Sequence, residues 1–524
     1  MMVQPTASGP SGIGAEVAAL VRDAVVIYDG DAHASALLTG YAQRLREPLR
    51  VAIAGMVKAG KSTLLNAIIG EEIAPTDTGE CTRIITWYRY GDTPGITLYP
   101  ADPAAGKPRA LPVRRSAGRL QFDLGGFRAE DVARLVVDWP ARSLRGLTLI
   151  DTPGIASLST DVSARASSFL LPEDKPSEAD AAVYLMRHLH ASDLNFLEAF
   201  RDSASGQSGT VNALAVLSRA DEVGAGRIDS LLSAASIAER YRQDPGLRTL
   251  ALGVVPIAGL LAQSARTLRQ REFAMLRDIA RLDRTARERL LLSADRFVRA
   301  GGTGGTGGTD GERAELLDRF GLFGIRLAAA LIRGGVADPT ELARELARRS
   351  GLDDLLQLLA GQFTARAEHL KARTALIGVE KLLRERPRPG IEPLEAALER
   401  IQSNAHEFRE LRLLADARTA GLGLAPADAQ EAERLIGGQG VGPARRLGLD
   451  EDATGAELRE RALESLHRWR ALAANPLTGR SAAGVCQVVQ RSCEAMLAQL
   501  QPAPAGSQQA ATGRPGLPVP AGSN

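Results

Sequence analysis

Long apolar runs are missing from this chain: no window reaches the ~18 uninterrupted apolar residues that a membrane-crossing helix needs. Any membrane contact is therefore expected to be peripheral. Met1 to Gly14 also lacks the charged stretch followed by an apolar one that marks a secretory leader. Cysteine is scarce, and the odd, scattered set Cys81, Cys486 and Cys493 has no metal-ligand spacing and offers no disulfide framework. That usage fits a reducing compartment, so a cytoplasmic location is expected. Neither sign of charge dominates, because 64 Lys plus Arg against 62 Asp plus Glu leave +2, and no global field selects nucleic acid or an acidic partner. Aromatics make up 4% of the chain and hydrophobic residues 44%, as in an Ala- and Leu-rich helical protein, and 524 residues suffice for two or three domains. Lysine is the scarcest cation, with six residues in all, and two of these, Lys58 and Lys61, stand together.

They belong to the stretch Gly55, Met56, Val57, Lys58, Ala59, Gly60, Lys61, Ser62, which follows the apolar run Leu49–Ala54 and precedes the helical pattern Thr63–Gly70. Strand, glycine-rich loop and helix in that order form a P-loop. The glycines let successive N–H groups and the helix N-terminus converge on phosphate, while Lys61 reaches the outer phosphates and Ser62 ligates Mg²⁺. Asp151-Thr152-Pro153-Gly154 follows a second buried strand, the position in which an Asp holds Mg²⁺ through water and a Gly amide meets the γ-phosphate. Thr82 lies between the two where a switch threonine completes the metal shell, with Thr76 and Thr78 as rivals. Leu217-Ser218-Arg219-Ala220-Asp221 ends a third strand, and the Asp221 carboxylate can accept from guanine N1–H and N2–H₂, a donor pair that adenine lacks. Ser218 and Arg219 replace the usual Asn or Thr and Lys, and an Arg stem can lie along a base as a Lys stem does. The last base-contacting loop is expected at Val254–Gly259, with the Ala258 amide facing the guanine carbonyl. GTP or GDP with Mg²⁺ is the ligand set these residues imply.

Strand signals at 83–90, 132–138, 147–150, 181–185, 214–217 and 254–257 alternate with helical stretches such as 193–201 and 228–241, which predicts an α/β fold with a mostly parallel sheet. Residues 93–130 read as hairpin and loop decoration. Helices broken near Gly30 cover 14–47, and helices dominate after about 262. Ser350–Arg386 reads as one long helix ended by Arg386-Pro387-Arg388-Pro389-Gly390, and further helices are bounded near Gly421, Gly437–Gly442 and Pro476. The expected division is a disordered N-terminus 1–13, N-terminal helices 14–47, a nucleotide domain 48–262, a helical accessory segment 263–349 with a Gly/Thr linker 301–311, a helical region 350–500 and a disordered tail 501–524.

Together these residues resemble the dynamin superfamily of large GTPases. The resemblance rests on the P-loop, Leu65-Asn66-Ala67-Ile68-Ile69-Gly70, Thr82-Arg83, Trp139-Pro140 and Leu147–Gly154, and within the superfamily it is strongest to the isoniazid-inducible, IniC-type dynamin-like proteins of actinobacteria. That likeness runs from about 14 to 500 and includes Pro75-Thr76-Asp77, Ser218–Arg227 and Arg319–Arg326. It implies a dynamin-type GTPase domain leading into an elongated helical neck and trunk that also recruits the N-terminal helices. It further implies self-association across GTPase domains, pairing with another dynamin-like protein, and peripheral work on anionic lipid at the inner membrane, where remodelling or protection follows. Two other readings stand beside it: a slow-hydrolysing partner subunit of a second dynamin-like protein, and a regulatory GTPase without membrane action. The latter would want a basic RNA-binding module, which the C-terminal half lacks, so no nucleic-acid partner is expected.

Ile155 follows Gly154, so the water-orienting Gln of small GTPases is absent, and Val57 and Lys58 stand where the family carries Gln and Ser. In dynamins that Ser helps hold a monovalent cation; the hypothesis here is that the Lys58 ammonium replaces the cation and neutralises charge developing in the transition state. A solvated Lys that only raises the local potential is the plainer alternative. Candidate membrane contacts are the basic end Lys381, Arg384, Arg386 and Arg388, the apolar stretch Gly321–Ile332, and the loop carrying Arg445 and Arg446.

Overall fold

The computed structural model of the protein describes residues 12–75, 83–102, 106–116, 119–154, 166, 168–172, 177–205, 212–299, 308–404, 406–419 and 421–500. Thr76, Thr78, Cys81 and Thr82, most of the Gly/Thr stretch (301–307), and the two terminal segments 1–11 and 501–524 lie outside these.

Eleven strands are described: β1 (Leu49–Gly55), β2 (Thr86–Tyr90), β3 (Gly95–Pro100), β4 (Arg109–Leu111), β5 (Arg114–Ser116), β6 (Arg119–Gln121), β7 (Val132–Trp139), β8 (Leu147–Asp151), β9 (Ala181–Met186), β10 (Ala213–Ser218) and β11 (Val254–Ile257). Nine of them form one sheet in the order β11-β10-β9-β1-β8-β2-β7-β3-β4, and β5 pairs with β6 apart from it. From β11 to β8 every neighbour is parallel, whereas β2 meets β8 antiparallel and β3 meets β7 and β4 antiparallel. The central strands read as unbroken apolar runs because both faces are covered. Period-two alternation sorts their side chains: Ala52, Ala54, Ala182, Tyr184, Ala215 and Leu217 enter one core, and Val51, Ile53, Val183, Leu185, Leu214 and Val216 the other. Two expectations are corrected here. The second strand begins at Thr86 rather than 83, and part of the supposed decoration, β3, is a full member of the main sheet. Its alternating buried residues Ile96 and Leu98 are the signal that reading passed over.

The helices are α1 (Ile13–Ile27), α2 (Ala32–Arg46), α3 (Lys61–Ile69), α4 (Ala191–Ser205), α5 (Ser230–Arg242), α6 (Pro245–Arg248), α7 (Gly259–Arg266), α8 (Gln270–Arg281), α9 (Arg284–Leu290), α10 (Ala294–Arg299), α11 (Asp310–Arg333), α12 (Pro339–Arg349), α13 (Leu352–Leu358), α14 (Ala367–Glu385), α15 (Glu392–Asn404), α16 (His406–Thr419), α17 (Pro426–Leu435), α18 (Pro443–Leu447), α19 (Gly455–Ala474) and α20 (Arg480–Gln499). Apolar residues of α7, α8, α11 and α12 share a core with one sheet face, and α3 and α13 cover the other. A separate core joins α1, α2, α14 and α15, and another joins α16 to α20. Gly378 permits the close approach of α2 to α14, since a Cβ there would lie 2.1 Å from the Tyr41 ring. Arg44 on α2 is buried against Asp180 at the start of β9, 2.6 Å away, and the other Asp180 oxygen accepts from the Arg50 amide at 2.9 Å. This tie fastens the N-terminal helices to the sheet.

The single long helix expected from Ser350 to Arg386 is broken. Between α13 and α14 the chain widens into a π turn at Leu359–Phe363 and tightens into a 3₁₀ turn at Thr364–Arg366. Gln362 donates to the Gly438 carbonyl at 3.0 Å and Arg366 to that of Gly437 at 2.6 Å, so tertiary bonds hold the distortion in place. The Gly/Thr stretch also ends sooner than expected: Thr309 caps α11 through a reciprocal bond with Glu312, and Asp310 and Gly311 are helical. Within α11, Gly321 has φ +62°, and Phe323, Ile325, Leu327, Ala328 and Ala329 are buried in the core. The apolar stretch Gly321–Ile332 is therefore packed and not a lipid-facing surface. Arg386 and Arg388 at the basic end both pair with Asp31, and Lys381 pairs with Glu385. Arg445 pairs with Glu451 and Arg446 with Glu410, so these two candidate loci are partly neutralised within the chain.

Candidate functional site

Because β1, β8, β9, β10 and β11 run parallel, their C-terminal ends open on one edge of the sheet, the place where open α/β sheets bind ligands. There β1 delivers Gly55–Ser62, β8 delivers Asp151–Gly154, β10 delivers Ser218–Asp221, and β11 delivers Ala258 and Gly259. The sheet topology thus gathers segments far apart in the chain.

The loop after β1 is glycine-dependent at specific points. Gly55 has φ +145°, and a Cβ there would stand 2.3 Å from the Leu185 carbonyl oxygen. Gly60, at φ +94°, caps the start of α3, so Lys61 begins the helix and its first-turn amides face the loop. The Lys61 ammonium donates to the carbonyls of Gly55 and Met56 at 3.2 Å each. Burial lowers its pKa, opposed by the Asp151 carboxylate. Ser62 Oγ donates to Asp151 Oδ2 at 2.9 Å, which brings the two expected Mg²⁺ groups together. Burial raises the Asp151 pKa, while Lys61 and the Ser62 hydroxyl act against the rise. A buried carboxylate and a hydroxyl side by side form an oxygen donor set of the kind Mg²⁺ takes, and a cation there would offset the burial of charge. The third expected ligand, Thr82, lies outside the described residues. Thr152 donates to the Ile53 carbonyl at 2.9 Å, pinning the Asp151–Gly154 turn to β1. Gly154 then lies so close to the P-loop that a Cβ would be 2.6 Å from Val57 Cγ2 and 2.9 Å from Val57 Cα.

Beyond the phosphate end, a cavity of about 150 Å³ is lined by Ala59, Gly60, Thr63, Ser218, Arg219 and Asp221. Burial raises the Asp221 pKa; a hydrogen bond from its own amide lowers it, Glu222 raises it further and Arg219 lowers it. Arg219, at φ +55°, donates from Nη2 to the Lys58 carbonyl at 3.0 Å. The base loop and the P-loop are therefore joined by a side chain across the cleft. Ser218 points elsewhere: its hydroxyl donates to the Met186 carbonyl at 3.1 Å, within the sheet. Lys58 itself is exposed, with φ +62°.

One expected contact is corrected. The Ala258 amide donates to the Ser350 carbonyl at 2.9 Å, so it is not free to meet a base. Gly259 and Leu260, the first residues of α7, line the cavity instead. Two further residues had no role assigned from the sequence: Glu222, quoted only within the stretch Ser218–Arg227, and Arg187. Glu222 lines the cavity and holds both Arg219 and Arg187, at 2.7 and 2.8 Å. Adjacency to Asp221 and position just after β9 are the only sequence cues to them. Asn66, quoted as part of the pattern after the P-loop, is explained: buried, it accepts from the amides of Ile73 and Ala74 and donates to the Ala74 carbonyl, holding the segment that follows α3.

The sequence profile of the dynamin family matches residues 51–120. Over 456 residues the chain is 42% identical to the isoniazid-induced protein IniC of Mycobacterium tuberculosis, a match covering 87% of this chain and 91% of that protein. A bacterial dynamin-like protein of Nostoc punctiforme is 31% identical over 116 residues, covering 20% of this chain and 16% of that one. A solved oligomerised bacterial dynamin pair aligns over 95% of this chain and 76% of its own at 13% identity, with a TM-score of 0.29, too loose a superposition to carry an argument. With an α/β P-loop domain, a helix-rich C-terminal half and 42% identity to IniC over nearly its whole length, the chain belongs to the dynamin superfamily of GTPases as an IniC-type member.

Proposed function

We propose that the protein binds GTP with Mg²⁺ in this cleft and hydrolyses it to GDP and phosphate. The observation that carries the reading is the Arg219 bond to the Lys58 carbonyl, which closes a base cavity containing Asp221 onto a P-loop containing Lys61 and Ser62. Asp221 accepts from the guanine donors, and Lys61 with the first-turn amides of α3 binds the phosphates. Ser62, Asp151 through water, and Thr82 would hold Mg²⁺, which would supply positive charge to offset that of the phosphate oxygens. The Gly154 amide meets the γ-phosphate. Lys58 supplies the extra cation as bond breaking shifts charge toward the leaving GDP, a contribution of about 10³ to 10⁵ in rate for a well-placed group.

The test is steady-state hydrolysis by Lys58→Ala. It is expected to lose at least tenfold in kcat, or to become dependent on Na⁺ or K⁺. A wild-type rate with no such dependence removes Lys58 from the mechanism. In this reading 48–262 is the GTPase unit, while 14–47 and 350–500 form neck and trunk. Self-association across GTPase units or pairing with a second dynamin-like protein accompanies turnover, and the chain acts peripherally on anionic lipid at the cytoplasmic face of the membrane. None of the described helices is long and apolar enough to cross a membrane. Support for lipid contact comes from Leu477, 92% exposed at the turn between the 20-residue helices α19 and α20.

A further inference from the structure

Among the described residues, three that are not glycine have positive φ: Lys58 at +62°, Arg219 at +55° and Ala225 at +63°. The first two face each other across the nucleotide cleft and are joined by the 3.0 Å bond from Arg219 Nη2 to the Lys58 carbonyl. A left-handed backbone is strained for a residue with a Cβ, and such strain persists where the surroundings over-determine it. Here the surroundings are a short chain of charges. Arg219 Nη1 donates to Glu222 Oε1 at 2.7 Å, and Arg187 Nη2 donates to Glu222 Oε2 at 2.8 Å. Arg187 directly follows β9, whose Leu185 is paired with Gly55 of the P-loop, so its end of the chain is anchored on the sheet.

We propose that Glu222 is a positioning residue for hydrolysis: its carboxylate grips Arg187 and Arg219 together, Arg219 grips the Lys58 carbonyl, and the ammonium of Lys58 is thereby aimed at the phosphates. The inference rests on the proposed role of Lys58. Side-chain exposures of 48% for Arg187, 51% for Glu222 and 36% for Arg219 mean that the ion pairs contribute little to folding, so cutting them leaves the domain intact. What changes is direction. Without Glu222 the Arg219 guanidinium is free to swing, the Lys58 backbone relaxes from the left-handed region, and the ammonium moves. Misplacement of a reacting or stabilising group by about 1 Å costs about 10²-fold in rate.

The experiment is a double-mutant cycle on the full chain, with Glu222→Ala, Lys58→Ala, the pair together, and Glu222→Gln, which keeps an acceptor for Arg219. Steady-state GTP hydrolysis gives kcat and KM, and fluorescent GDP gives affinity. Glu222→Ala is expected to lower kcat about 10- to 100-fold with KM and GDP affinity within about twofold of wild type. Glu222→Gln recovers most of the loss, and Glu222→Ala has no further effect once Lys58 is Ala. A loss from Glu222→Ala that persists undiminished in the Lys58→Ala background overturns the inference and leaves the Lys58 role standing. So does a wild-type kcat for Glu222→Ala when Lys58→Ala is slow, or a change confined to KM. If Lys58→Ala turns over at the wild-type rate with no new dependence on Na⁺ or K⁺, the Lys58 role fails and this inference with it, while GTP hydrolysis in the cleft stands; if the wild-type chain hydrolyses no GTP, the proposed function fails as well.

Discussion

Replacing Asp221 with Asn tests the base cavity most directly. Its carboxylate lines the cavity beside Arg219, and burial raises its pKa, as expected of a charge held apart from water until a ligand supplies donors. Guanine supplies two. Each hydrogen bond to a charged acceptor contributes about 1.5–3 kcal/mol, so the pair contributes about 3–6 kcal/mol. At about 1.4 kcal/mol per decade, Asp221→Asn should weaken GDP binding by about 10²- to 10⁴-fold. The substitution leaves one acceptor and turns an NH₂ toward the N2–H₂ of guanine, donor against donor. Xanthine has a carbonyl in place of that amine, so xanthosine diphosphate should bind Asp221→Asn more tightly than GDP does. Competition of GDP and xanthosine diphosphate against a fluorescent nucleotide measures both affinities on one sample. Equal GDP affinity for variant and wild type, within about twofold, or no gain for xanthine, refutes the assignment of Asp221 to the guanine edge. The raised pKa adds a pH arm: guanine affinity should fall on acidification at a higher pH than an ordinary carboxylate would give, and this fall should vanish in Asp221→Asn.

Gly154→Ala should slow hydrolysis at least tenfold, because its Cβ would meet Val57 Cγ2 at 2.6 Å and Val57 Cα at 2.9 Å. Adding Val57→Ala relieves only the side-chain part of that clash, so the double variant should stay slow in the same assay. In the helical half, burial pushes Glu410 up, but His406, Arg446 and Ser492 outweigh it and hold its pKa at about 2 against an ordinary 4.5. A depressed carboxylate stabilises the fold above the unfolded value, and this stabilisation, about 3 kcal/mol at most, is lost as pH falls from 4.5 toward 2. Hydrogen exchange in α20 should accelerate across that window in wild type and be far less pH-dependent in Glu410→Gln. Leu477→Asp should weaken pelleting with anionic liposomes by about 10- to 100-fold, the value of about 1.5–3 kcal/mol for burying one Leu; unchanged pelleting would place lipid contact elsewhere.

The parts of the site legible in the sequence are those in which residue type alone sets local geometry. Gly55, Gly60, Lys61 and Ser62 are required by a loop that wraps phosphate, and the apolar run before them had to be a strand covered on both faces, as β1 is. The Asp151–Gly154 turn falls beside that loop because a parallel sheet puts the ends of β1 and β8 on the same edge. What failed were statements about partners remote in the chain. An apolar pattern of helical period runs through Leu352–Leu383, yet Gln362 and Arg366 bond to the turn at Ile436–Gly438 and hold a π turn that no local signal marks.

Ala258 is the instructive case, since every residue has a backbone amide and nothing in a residue's identity says where that amide points. Its partner is the Ser350 carbonyl, and the adjoining Gly351, at φ +83°, leaves no room for a Cβ, which would stand 2.2 Å from the Pro256 carbonyl oxygen. The stretch that opens the helical half is thus seated on β11, directly before the two residues, Gly259 and Leu260, that line the base cavity. An amide that hydrogen-bonded a base would have to release Ser350, and with it the start of α13. The first turn of α7 therefore lines the cavity, while the Ala258 amide fastens the end of β11 to the stretch that leads into α13.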